Sequence, residues 1–203
     1  MSGGTRLHEG TGTGGDARHV VLVGLPGAGK STVGPLVAER LGWRFLDLDA
    51  ELERRDGRTV VAQFADDGEP AFRTREAALS AEIAGHRDAP PMVLAAGGGW
   101  MVNVLARRAL ADRARTVYLR VRPETAAGRL AADRGVRPLL AGAADPVRAL
   151  GELLARRGAA YEAADLVVDV DALAPAAAAE AVLAAVRATT PAGRTGAADP
   201  AHG

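Results

Sequence analysis

Residues 24–32 read GLPGAGKST and match the spacing GxxxxGK[ST]. Glycines in that pattern let the backbone curl with its N–H groups turned inward, a shape that receives phosphate oxygens. The positive end of the helix that follows adds to the attraction. Lys30 then reaches the β- and γ-phosphates of a nucleoside triphosphate, and Ser31 sets a hydroxyl on Mg²⁺. Gly27, Ala28, Gly29 and Thr32 complete the nucleotide-binding set. Among 25 Lys+Arg residues, Lys30 is the only lysine. A chain that otherwise uses arginine keeps one compact ammonium where a forked guanidinium does a different job. A glycine-rich turn before a helix is the plain alternative; the expected strand–loop–helix context speaks against it.

A second pair of groups follows. Asp47 and Asp49 lie around the end of a β-type run at residues 44–48, and strand alternation turns both to one side near the phosphate loop. Two carboxylates beside a triphosphate can divide the work: one supports the Mg²⁺ shell, the other orients an acceptor hydroxyl and takes its proton. Alternatively, Asp49 caps a helix over residues 50–55.

These residues must be held by something, and the chain alternates strand and helix signals throughout. Short apolar, poorly alternating runs at 19–24, 44–48, 92–96, 116–121 and 166–170 read as strands buried on both faces. Helical spacing occupies 30–41, 49–55, 59–65, 70–85, 104–111, 123–132, 146–164 and 176–188. Pro123 sits well at a first helical position. This pattern predicts a three-layer α/β fold, a five-stranded parallel sheet with helices on both faces. Ligands of such sheets bind beyond the carboxyl ends of the strands, which is where residues 24–32, Asp47 and Asp49, and the triplet Gly97, Gly98, Gly99 all fall. Residues 1–18 and 189–203 offer little to bury and read as flexible tails, leaving one domain over 19–188. Residues 133–144 carry Gly, Pro and Arg without clear period.

Composition excludes several functions. The chain of 203 residues has no cysteine, so disulfides, thiolate catalysis and cysteine metal sites are ruled out. Its four histidines are scattered. A formal net charge of +0 supplies no field for nucleic acid or anionic lipid. No stretch is apolar and long enough to be a signal peptide or a membrane span. The expectation is a cytoplasmic monomer that binds neither nucleic acid nor membrane; no helix carries a second apolar face.

The order GLPGAGKST, then FLDLDAELERRDGRTVVAQFADDGEPAFRTRE, then GGG, then RPLL resembles the shikimate kinase family over about residues 20–171, which implies an α/β fold of phosphate-loop kinase type. The resemblance implies transfer of the γ-phosphoryl group of ATP, with Mg²⁺, to the 3-hydroxyl of shikimate, a step of aromatic amino-acid biosynthesis. It implies that Asp47 supports Mg²⁺ through water and that Asp49 positions the attacking hydroxyl. It further implies that Arg73 and Arg157 bind the substrate carboxylate, and that Gly97, Gly98 and Gly99 bring bare backbone to the substrate. By the same resemblance Arg137 would come from a mobile lid, which the irregular segment 133–144 suits, and reach the nucleotide phosphates. Lys30, Asp49 and Arg137 are then the catalytic set.

Forked guanidinium groups do suit a small carboxylate. Other readings stay open: Arg73 could pair with Glu69 or Glu76 on its own helix, Arg157 could be a surface residue, and the triplet could be only a turn. Glu76 shapes the acceptor pocket or makes a surface ion pair. Arg129 or Arg134 lies near the base or the phosphates. Trp100 departs from the family, where a small residue is usual: it either narrows the acceptor pocket or packs into the core, the second being favoured. It keeps a kinase for another polyhydroxylated acid, of gluconate type, in view; a non-catalytic nucleotide switch is a further alternative.

Overall fold

The computed structural model describes residues 19–132 and 145–188. The expected tails, and the expected lid with Arg134 and Arg137, lie outside the described residues. The elements are β1 (His19–Val23), α1 (Lys30–Leu41), β2 (Arg44–Asp47), α2 (Leu48–Asp56), α3 (Val60–Gly85), β3 (Met92–Ala95), α4 (Val104–Leu110), β4 (Ala114–Arg120), α5 (Pro123–Ala132), α6 (Pro146–Glu162), β5 (Leu166–Asp169) and α7 (Pro175–Ala188). A 3₁₀ turn over Trp100–Val102 precedes α4.

The five strands form one parallel sheet in the order β2-β3-β1-β4-β5. β1 is central: Val21 stands between Leu94 of β3 and Thr116 of β4. Residues 20–23 are fully buried, as the unbroken apolar run requires. From β1 the chain moves one way to β2 and then always the other way. Right-handed crossovers therefore put α1 on one face and the later connecting helices on the opposite one. α7 returns to pack beside α1. Everything that follows a strand's carboxyl end thus opens on one edge.

Four local differences from the sequence reading have physical causes. β2 ends at Asp47, and α2 begins at Leu48 because the Asp47 carboxylate caps it: Oδ1 accepts from the N–H groups of Asp49 (3.1 Å) and Ala50 (3.2 Å). The cap is therefore Asp47 and not Asp49. β4 begins at Ala114, since Ala114 and Arg115 pair with His19 and Val20 and extend the ladder to the full length of β1. The expected helices 59–65 and 70–85 run on as α3, broken at Gly68 by a positive φ of 81° that glycine tolerates. The segment after the glycine triplet, to which the sequence reading assigned no element, winds into the 3₁₀ turn.

Candidate active site

The phosphate loop runs from β1 into α1. Gly27 and Gly29 have φ of 81° and 94°, the left-handed region that side chains rarely adopt. A Cβ at Gly27 would also stand 2.5 Å from the Ala126 carbonyl of α5. Lys30 is buried, and its ammonium donates to the carbonyls of Gly24 (3.0 Å) and Leu25 (2.9 Å). The ammonium is thus held on the loop itself. Ser31 donates through Oγ to Asp47 Oδ2 at 2.6 Å, so the loop hydroxyl and the first carboxylate meet directly.

Residues 27–33, Arg129, Leu130, Val170, Leu173, Pro175 and Ala178 line a cavity of about 420 Å³, within the range of small-molecule sites. Gly27, Ala28, Gly29, Lys30, Ser31 and Thr32 share this cavity. Of the two arginines left open by the sequence, Arg129 is in the wall. Its Nη2 donates to the carbonyls of Val170 (2.6 Å), Asp171 (3.3 Å) and Leu173 (3.3 Å), which ties α5 to the loop after β5.

Asp49 stands beside Asp47 in the first turn of α2. Its carboxyl is pushed up to about 6, chiefly because burial penalises the charged form, then because Asp47 and Glu76 repel it; Lys30 and Arg73 pull the other way. A carboxyl tuned toward neutrality suits exchange of a proton with a hydroxyl. Gly97 faces it: a Cβ there would lie 2.6 Å from Asp49 Oδ1. Gly98 faces Arg157, whose Nη1 would be 3.4 Å from such a Cβ, and Gly99 faces Arg73, whose Cζ would be 2.5 Å away. The triplet is a floor on which one carboxyl and two guanidinium groups rest in turn.

Arg73 makes the pairs that its helix spacing offers, with Glu69 (Nη2 to Oε1, 2.9 Å) and Glu76 (Nη1 to Oε2, 3.0 Å). Its guanidinium also lies 5.5 Å from the Phe72 ring centre and 5.7 Å from that of Phe64. The ion pairs and the position over Gly99 coexist. Glu76 is 1% exposed, which rules out the surface ion pair. Arg157 is half-buried while its neighbour Arg156 is exposed, so only Arg156 sits on a solvated face.

Trp100 is also 1% exposed, with its indole N–H donating to Ser80 Oγ at 3.1 Å, so it packs in the core. Sequence reasoning missed Tyr161. Its hydroxyl donates to the Gly98 carbonyl at 2.5 Å, and its ring stacks on Tyr118. The spacing Arg157–Tyr161 on one helix was the available signal.

The model of the family described as shikimate kinase matches residues 26–187. A shikimate kinase of Thermobifida fusca (strain YX) is 47% identical over 162 residues, 79% of this chain and 90% of its own. One of Pseudomonas syringae pv. tomato is 46% identical over 155 residues, 76% of this chain and 87% of its own. The solved structure of shikimate kinase from Acinetobacter baumannii in complex with shikimate superposes with a TM-score of 0.77 at 35% identity, covering 86% of this chain and 96% of that one.

Proposed function

The chain belongs to the shikimate kinase family, and on that premise we propose that it phosphorylates the 3-hydroxyl of shikimate with ATP, giving 3-phosphoshikimate and ADP. The reaction serves aromatic amino-acid biosynthesis. The observation that carries the acceptor assignment is the glycine floor, which sets Asp49, Arg157 and Arg73 against Gly97, Gly98 and Gly99 beside the phosphate loop. A ring acid with hydroxyls needs this arrangement: guanidinium forks for the carboxylate, a carboxyl for the hydroxyls, and bare backbone so that the ring comes close.

In the mechanism that follows, the loop N–H groups of residues 27–32 and Lys30 bind and neutralise the phosphates. Arg73 and Arg157 grip the carboxylate and thereby aim the 3-hydroxyl. Asp49 accepts a hydrogen bond from that hydroxyl and takes its proton as the oxygen forms its bond to the γ-phosphorus. The bond from that phosphorus to the bridging oxygen breaks, and ADP leaves; no phosphoenzyme forms. Positioning and charge neutralisation supply most of the rate.

Ser31 and Asp47 fit Mg²⁺: both present hard oxygen donors, already 2.6 Å apart. Among the described residues no group of three or more His, Cys, Asp or Glu side chains suits a metal, which fits an ion that arrives with phosphate oxygens. Bound there, Mg²⁺ supplies charge neutralisation at the β- and γ-phosphates. Arg137 enters this scheme, as a further phosphate ligand from the 133–144 lid, on its sequence alone.

The enzyme works as a cytoplasmic monomer in this reading; no helix among the described residues is long and apolar enough to cross a membrane. Trp100 was the feature favouring another acceptor, and its place in the core removes that argument. A coupled assay of ADP release tests the proposal: release should require shikimate and be absent with gluconate. Release independent of acceptor, or gluconate preferred, overturns it.

A further inference from the structure

Asn103 makes three side-chain hydrogen bonds, of which helix capping needs one. Its Oδ1 accepts from the Ala106 N–H at 3.3 Å and starts α4. Its amide nitrogen reaches across to α3, donating to the Arg73 carbonyl at 2.8 Å and to Glu76 Oε2 at 2.9 Å. Both donors of the amide are thereby used. The same Glu76 oxygen receives Arg73 Nη1 at 3.0 Å. One oxygen of a buried carboxylate therefore holds Asn103 and the guanidinium assigned to the substrate's carboxylate, while Glu76 Oε1 has no partner.

Position in the chain gives this contact its effect. Asn103 lies four residues beyond Gly99, the part of the floor against which Arg73 rests. The segment between them is hooked to α3 a second time, by the Trp100 indole on Ser80 Oγ, which in turn donates to the Glu76 carbonyl at 2.9 Å. The floor and the helix carrying Arg73 are separate pieces of chain, and these bonds fix the gap between them. We infer that Asn103 is a positioning residue for acid recognition: its amide holds the Arg73 backbone and the Glu76 carboxylate at the distance from the glycine floor that a substrate carboxylate requires. With the amide gone, Glu76 Oε2 is left to Arg73 alone, and the guanidinium is drawn toward its own helix and away from an incoming anion.

The inference rests on the acceptor reading above, and its test separates the two. Serine caps a helix as well as asparagine does, so Asn103→Ser keeps α4 started but removes both amide donors. Asn103→Asp keeps shape and cap, and sets an acceptor against Glu76. KM for shikimate, KM for ATP, kcat and melting temperature are measured for wild type and both variants. The expected result is a three- to tenfold rise in shikimate KM for Asn103→Ser, roughly what one buried hydrogen bond commands, and a larger rise for Asn103→Asp. ATP KM and kcat stay within about twofold. A lower melting temperature with unchanged shikimate KM overturns the inference, as does an ATP KM that rises in step. If Asn103→Asp does not fold, Asn103→Ser decides. Wild-type enzyme that ignores shikimate sinks the acceptor reading and this inference with it; active wild type with unaltered variants sinks this inference alone.

Discussion

Gly99→Ala should disable acceptor binding while sparing the fold. The new methyl would stand 2.5 Å from Arg73 Cζ and 2.7 Å from Nη1, and nearer still to Nη2. Ordinary contact needs the guanidinium to withdraw by roughly 1 Å or more. It is the end of a long side chain, so it can do so, but only by leaving its place between Glu76 and the floor. The backbone itself does not object, because Gly99 has φ −101° and ψ −3°, which any residue adopts. The loss is then a paired, charge-assisted contact to the substrate carboxylate, about 1.5–3 kcal/mol, or roughly ten- to a hundredfold in shikimate KM. ATP KM should stay within about twofold and the melting temperature should move little. Gly128→Ala is the internal control: a Cβ there meets nothing within 4 Å, so kinetics should be unaltered and the α5 helix slightly steadier. A Gly99→Ala enzyme whose shikimate KM is within twofold of wild type, or whose ATP KM rises equally, would refute the assignment of Gly99 and Arg73 to the acceptor.

Three further outcomes are expected. Lys30→Ala should cut kcat by more than about a hundredfold at near-normal melting temperature, since its charge acts on the transferring group; activity within a few-fold of wild type removes it from the mechanism. Trp100→Ala should cost about 3–5 kcal/mol of stability and leave the ranking of acceptors unchanged, as read by denaturant melts and kcat/KM for ring analogues. His19 accepts from the Met92 N–H at 3.0 Å and is held below the usual histidine range, first by burial and then by Arg113. The unfolded chain takes up a proton near pH 6.5 that the folded chain refuses, so stability falls as pH drops below about 6.5, by at most about 1.4 kcal/mol per pH unit. Asp49, raised to about 6, works in the opposite direction below that pH. Comparing wild type with His19→Gln between pH 7.5 and 5.5 therefore isolates the histidine: the variant should lose less stability, and parallel curves would contradict this account.

The strands, the phosphate loop and the placement of Asp47, Asp49 and the glycine triplet were legible because each is a local pattern: an apolar run, a fixed spacing, a turn at a strand end. What was not legible is what the sheet brings together. Strand alternation pointed to a shared side for Asp47 and Asp49, whereas the carboxylates come close because Asp47 caps the helix that carries Asp49. Arg73 offered a choice between ion pairs and ligand binding, and tertiary structure gave it both surroundings. The helical spacing from Arg157 could place Tyr161 on the same face, but nothing local marks it as the support of Gly98, 63 residues away, or Asn103 as more than a cap. For Trp100 the sequence left a pocket wall and core packing open with the core favoured, and the 3₁₀ turn carries the indole into the core, to Ser80.

The central claim is that this site moves a phosphoryl group from ATP to one hydroxyl of a ring acid, and the product settles it. Phosphorus NMR of a mixture of enzyme, ATP, Mg²⁺ and shikimate should show one new phosphomonoester resonance. It should grow in step with ADP, couple to the ring proton at the 3-position, and be missing when shikimate is withheld. Inorganic phosphate as the main product, or a phosphomonoester on a different hydroxyl, would contradict the account.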